Sequence, residues 1–219
     1  MKVLFIGNSH TYFNDMPHLF ARMCEALTGE RTEVTMLAFS NRALGWHCEE
    51  YFSVRFALLY GGYDYCVIQQ FGHPIPPIEE TEPPLRKLLA LCERVGTKPV
   101  LYMTWAKKDE PEKAPYISGI YRTLAKRYGT LLAPMAEIFD DVMREHPEID
   151  LFWHDGSHAS SYGDYLIAAT LALLLTGSAD ADKLPDRLID FQVRFSREAD
   201  PHAIEDAEEA EIEPNPKYT

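Results

Sequence analysis

The residues best suited to chemistry stand in two segments far apart in this 219-residue chain. Close to the start, Gly7-Asn8-Ser9-His10-Thr11 follows the apolar run Val3-Leu4-Phe5-Ile6. A serine placed directly after a buried strand holds its hydroxyl at the carboxyl edge of a sheet, where a substrate can reach it. Such a serine can also serve as a helix cap. Here the helical pattern begins near Asp15, with Asn14 or Asp15 the better cap, so Ser9 is left without that task. Towards the other end stands Asp155-Gly156-Ser157-His158. A nucleophilic serine needs a base to take its proton, and the base needs a carboxylate on its other ring nitrogen. Asp155 and His158, three residues apart in a turn ahead of a helix, can supply both. The same residues can equally close a turn at a helix start, where Ser161 with Asp164 offers a capping pair.

The elements that must bring these segments together can be read from periodicity. Short apolar runs at 3–6, 32–39, 63–68, 99–104 and 131–133 read as strands, and 15–27, 44–59, 85–95, 116–128, 135–144 and 162–175 have helical spacing. This alternation predicts an α/β fold, a doubly wound parallel sheet with helices on both faces. Ligands in such folds bind at the carboxyl ends of the strands. Ser9 lies after the first strand and the Asp155–His158 pair ahead of the last helix, so both belong to the edge where chemistry is expected. No internal repeat or linker interrupts 1–197, which reads as a single domain followed by an acidic tail, 198–219.

With the two motifs placed on such a fold, the chain resembles the SGNH hydrolase superfamily, also called the GDSL-type esterases, over roughly its first 176 residues. The stretch from Val3 to Pro17 is especially similar to a branch that has Gly-Asn-Ser in place of Gly-Asp-Ser. The resemblance implies a three-layer α/β/α sandwich around a five-stranded, flavodoxin-like parallel sheet, with no metal and no cofactor. It implies Ser9 as nucleophile, His158 as general base and Asp155 as the carboxylate that orients it. It also implies three oxyanion donors: the amide of Ser9, an amide after the second strand and a side chain after the third.

The sequence departs from the family pattern at the last two of these. After the second strand stands Phe39-Ser40-Asn41-Arg42 where relatives have two glycines, and Asn41 is the expected amide, since Asn tolerates a left-handed backbone. After the third strand stands Gln69-Gln70-Phe71-Gly72-His73 where Gly-x-Asn-Asp is expected. Gln69 is preferred by position as the donor and Gln70 is the alternative. A structural amide network accounts for the pair equally well, because two buried amides need partners in any case. His10, Gln70 and His73 are expected to line the pocket. The activity implied is that of a serine esterase hydrolysing a small acyl ester, such as acetyl on a carbohydrate, through an acyl-enzyme. The alternative is a binding or scaffolding domain that keeps the fold and has lost catalysis.

Composition excludes other classes. The chain has 21 Lys and Arg against 34 Asp and Glu, a formal charge of −13. Eight acids against the single base Lys217 in 198–219 account for −7 of it, leaving −6 for the domain. That balance repels a phosphate backbone, so no nucleic-acid partner is expected. The tail reads as a solvated segment, with an acidic interaction tail as the sharper alternative. No apolar stretch approaches the ~20 residues that span a bilayer, and the opening apolar run is too short for a signal peptide, so a cytoplasmic protein without membrane contact is expected. The histidines lack HExxH or paired i, i+4 spacing, which disfavours a metal site. Cys24, Cys48, Cys66 and Cys92 have no CxxC spacing and read as reduced core thiols.

Overall fold

In a computed structural model the described residues are 1–185; residues 186–197 of the expected domain and the acidic segment 198–219 lie outside them. Five strands form one sheet: β1 (Lys2–Gly7), β2 (Glu33–Ala38), β3 (Tyr65–Gln69), β4 (Lys98–Tyr102) and β5 (Leu131–Ala133). They pair in parallel throughout, in the order β2-β1-β3-β4-β5. The predicted three-layer sandwich is therefore the observed one.

The continuous apolar run of β1 is explained by its cover on both faces. Successive side chains of a strand point to opposite sides. Val3 and Phe5 enter one core with α2 (Met16–Thr28), α7 (Met135–Glu145) and α8 (Ser161–Thr176). Leu4 and Ile6 enter the other core, with α3 (Leu44–Glu49), α4 (Tyr51–Gly61), α5 (Ile78–Val95) and α6 (Ala114–Tyr128). All four are completely buried, and burial of each such side chain is worth about 1.5–3 kcal/mol relative to exposure. The chain leaves β1 towards β2 on one side and then returns to β3 on the other. This switch point falls at the carboxyl end of β1, next to Ser9, the place where such sheets bind ligands.

Several elements differ from expectation. The first helical turn begins not near Asp15 but at Ser9, in α1 (Ser9–Tyr12), and its N-cap is Asn8, whose side chain accepts from the His10 amide. One turn is too short to show a period. Asn14 and Asp15 then take left-handed backbone, φ 48° and 57°, separating α1 from α2. The predicted helix 44–59 is two helices broken at Glu50. The break leaves His47 against the Gly7 carbonyl, at 2.8 Å, while Val54 and Leu58 still face the core. Helix α5 starts seven residues before the expected 85, and carries Pro83 and Pro84 inside it. Each proline removes a helical hydrogen bond. The buried stripe Thr81, Pro84, Leu85, Leu88, Leu91 and Cys92 outweighs that loss through packing. The cap of α8 is Ser160, which accepts from the Gly163 amide, in place of the expected Ser161. The cysteines are free, with Cys24, Cys66 and Cys92 buried.

Candidate active site

Gly7 ends β1 because nothing larger fits. A Cβ there would lie 2.3 Å from Thr11 Oγ1 and 2.4 Å from Gln69 Oε1. Asn8 then joins three loops. Its amide donates to Gln69 Oε1 (2.8 Å), its Oδ1 accepts from the His10 amide (3.1 Å), and its Nδ2 donates to the Arg42 carbonyl (3.0 Å). The last bond needs a donor, so Asn serves here where an Asp carboxylate could not. These bonds hold Ser9 at the carboxyl edge of the sheet, half-buried, as the first residue of α1.

The second segment is a turn tied back on itself. Trp153 N–H donates to the His158 carbonyl (2.8 Å), and Gly156, at φ 66°, donates to the Trp153 carbonyl (2.9 Å). Asp155 Oδ1 accepts from the amides of Ser157 and His158, both at 2.9 Å, and Oδ2 lies 2.6 Å from His158 Nδ1. His158 Nε2 lies 2.8 Å from Ser9 Oγ across 149 residues of sequence. With Nδ1–H donating to the carboxylate, Nε2 carries the lone pair that accepts from the serine hydroxyl. Burial would raise the Asp155 carboxyl, but the bonds from the His158 ring and the two amides outweigh it and hold the group below its ordinary value.

Aromatic rings fix the imidazole plane. Phe13 stacks on one side of His158 (centroids 4.6 Å, 23°) and His10 also stacks on it (4.7 Å, 16°). His10 is held in turn by ring contacts with His73 (4.8 Å) and Trp105 (5.2 Å), and its carbonyl accepts from Tyr102 Oη (2.8 Å). Its Nδ1 is buried and meets no partner among the described residues. Burial first, then the neighbouring His73 and His158 rings, keep His10 well below the ordinary histidine range. A neutral ring therefore lies on His158. Asn14 links the two segments directly: Nδ2 donates to the Ala159 carbonyl (3.0 Å) and to Asp164 Oδ2 (2.6 Å).

The remaining expected residues are distributed differently. The Gln69 amide nitrogen, expected to face an oxyanion, is turned onto the Gln70 carbonyl, while its oxygen takes the bonds from Asn8 N–H and Thr11 Oγ1 (3.0 Å). Gln70 is engaged at both ends as well, accepting from the amides of Leu44 (2.9 Å) and Phe71 (2.8 Å) and donating to Thr81 (3.2 Å). The structural network is what this geometry describes for the two glutamines. Asn41 is exposed, at φ 60°, in a turn closed by Arg42 N–H on the Phe39 carbonyl (3.2 Å). His73, expected at the pocket mouth, has both ring nitrogens bonded within the protein, to the Trp105 carbonyl (2.7 Å) and Ser157 Oγ (2.8 Å). Among the described residues no group of three metal-ligating side chains occurs, and no helix is long and apolar enough to cross a membrane.

No family model and no curated protein matches the chain in sequence. Solved structures do match in shape. A DUF4886 family protein from Bacteroides uniformis superposes with a TM-score of 0.67 at 19% identity, covering 92% of this chain and 89% of its own. A putative GDSL-like lipase from Parabacteroides merdae gives 0.64 at 19% identity, over 80% and 95%. An acetyl-xylooligosaccharide esterase variant from Geobacillus gives 0.67 at 14% identity, over 85% and 97%. The chain has the SGNH hydrolase fold. On that frame the Gly7-Asn8-Ser9 block lies after β1 and the Asp155–His158 block ahead of α8.

Sequence reasoning missed Asn8, Phe13, Trp105 and Ser157 as parts of this site and assigned Asn14 only to capping. Asn8 carried a usable signal, since an Asn between a strand-ending glycine and a short polar run is a good N-cap. The others are defined by partners distant in sequence and carried none.

Proposed function

We propose that this chain is a serine esterase that cleaves a small acyl ester through an acyl-enzyme. The observation that carries the reading is the continuous hydrogen-bonded line from Ser9 Oγ through the His158 ring to Asp155, with 2.8 Å and 2.6 Å steps. In this mechanism Ser9 Oγ attacks the ester carbonyl carbon as His158 Nε2 takes its proton. Asp155 stabilises the imidazolium, which then protonates the departing alcohol oxygen. Water, deprotonated by the same nitrogen, releases the carboxylic acid and restores Ser9.

For the oxyanion we assign the amides of Ser9 and Asn41, which meet no acceptor among the described residues. Asn8 brings their two loops together through the Arg42 carbonyl. Gln69 and Gln70 are assigned to holding those loops. The third donor expected from the family is thus replaced by a structural bond, and removing one such donor typically costs 10²–10³ in rate.

Acetylated saccharides are the substrate class we favour. Similar structures include an acetyl xylan esterase and the acetyl-xylooligosaccharide esterase. Aromatic rings suited to a sugar stand beside the site: Phe13, stacked on His158, lies against Trp153 (5.6 Å). Wild-type protein should release acetate from an aryl acetate and from acetylated xylooligosaccharides, and a fluorophosphonate should label Ser9. Ser9→Ala should abolish labelling and lower turnover by about 10⁶. Failure to label the folded wild-type chain would make it a binding domain on a hydrolase fold.

A further inference from the structure

The turn carrying Asp155 and His158 has a support outside the catalytic line. Trp105 Nε1–H donates to the Ser157 carbonyl (3.0 Å), Ser157 Oγ–H donates to His73 Nδ1 (2.8 Å), and His73 Nε2–H donates to the Trp105 carbonyl (2.7 Å). The three bonds close a ring in which each residue gives one and takes one. Ser157 is one of the two residues between Asp155 and His158, and its own amide feeds Asp155 Oδ1. Trp105 anchors the ring: it is 1% exposed and stacks on Phe139 in the core (4.5 Å, 12°). A second strap, Lys108 N–H to the Gly156 carbonyl (2.9 Å), runs from the same segment.

The ring works with one tautomer of His73. A neutral imidazole protonated on Nε2 has one donor and one acceptor, which is what Trp105 and Ser157 require. Burial lowers the affinity of His73 for a second proton, against the pull of the Trp105 carbonyl. With both nitrogens committed, His73 has none to offer a substrate.

We propose that His73 is a positioning residue for the general base: together with Trp105 it fixes Ser157, and through Ser157 the turn that sets the Ser9–His158 distance. The proposal rests on the esterase reading for its kinetic consequence, and on geometry alone for its structural one. An angstrom of misplacement can cost about 10²-fold in rate without loss of binding.

His73→Ala should lower kcat on an aryl acetate about 10- to 100-fold with KM within about twofold. His73→Asn places Oδ1 where Nδ1 stands and can accept from Ser157, so it should recover most of that loss. Ser157→Ala, at a half-buried position that tolerates alanine, should lose about as much as His73→Ala, and the double variant no more than the worse single one. Unchanged kcat in both His73→Ala and Ser157→Ala, or equal losses in the Ala and Asn variants, overturns the proposal. If the wild-type chain hydrolyses no ester, the esterase reading fails and the positioning role is decided by NMR. The downfield His158 Nδ1 proton should be sharp in wild type, broadened by exchange in His73→Ala and restored in His73→Asn. The same resonance in all three would sink it.

Discussion

In the loop after β1, the supports of Ser9 come from the carboxyl edge of the sheet: Gln69, the Arg42 carbonyl and the cap made by Asn8 itself. The turn at 155–158 is more open, with the Asp155 side chain 44% exposed and that of His158 23%. It is held from outside by His73, Trp105, Lys108 and, at Ala159, by Asn14. A nucleophile needs only to stand at a fixed place on a rigid edge. A base must also keep a tautomer, a ring plane and a carboxylate in register, and an exposed turn does not do so unaided. The difference teaches that the precision of this site is concentrated in the supports of the second segment.

The largest test of that contrast acts on the tautomer. Asp155→Asn should leave the fold intact and lower kcat by about 10⁴, because an amide no longer demands a proton on His158 Nδ1. Steady-state kinetics on an aryl acetate checks this, and a loss under tenfold would mean the turn orients His158 without its carboxylate.

A smaller effect is expected where the two segments are joined. Asn14→Ala removes the donor to Ala159 and Asp164 and puts a Cβ residue without that compensation at φ 48°. It should destabilise the protein by about 2–4 kcal/mol, read as a fall in the urea midpoint, because a buried carboxyl loses its donor. A stability loss with unchanged kcat would show that the join holds the fold together but not the site.

The mildest test is titration. Burial lowers His10 and His73, which pack against the 155–158 turn, and His47, which holds the Gly7 carbonyl of the loop after β1. Each has a folded pKa below its unfolded one, so the unfolded chain takes up protons first, and stability falls as pH drops below about 6.5. Asp164 has the opposite sign: burial raises it, the folded chain binds its proton first, and that contribution is lost as pH rises. The urea midpoint should therefore be lower at pH 5.5 than at pH 7. Asp164→Asn should raise the midpoint at pH 7 and steepen the dependence, and a flat profile in both proteins would contradict the buried neutral histidines.

Legibility in the sequence followed the range of the interactions. β1 and Ser9 could be read because a doubly covered strand must be apolar throughout and a glycine marks its end. Asp155 and His158 could be paired because their bond closes within one turn. Gln69 and Gln70 were visible as polar residues that need partners, yet whether those partners are an oxyanion or the chain was set by Asn8 and Leu44, 61 and 26 residues away. The start of α5 was hidden by Pro83 and Pro84, whose local cost is outweighed by a packed face that only the tertiary fold supplies. His73, Trp105 and Ser157 have no pattern in common along the chain and meet only when β3, β4 and the last turn share one edge.

The bond between Ser9 and His158 also has a consequence in time. Ser9 opens the short helix after β1, and His158 belongs to the turn ahead of α8. A chain emerging from the ribosome thus carries Ser9 long before it carries the ring that bonds its hydroxyl. Asn14 likewise waits for Ala159 and Asp164, so the kink between α1 and α2 stays unbraced until α8 docks on α2. A fragment cut anywhere ahead of Asp155 would retain the Gly-Asn-Ser block without its partners; under the esterase proposal it would be chemically silent, and ester cleavage would read out completed folding.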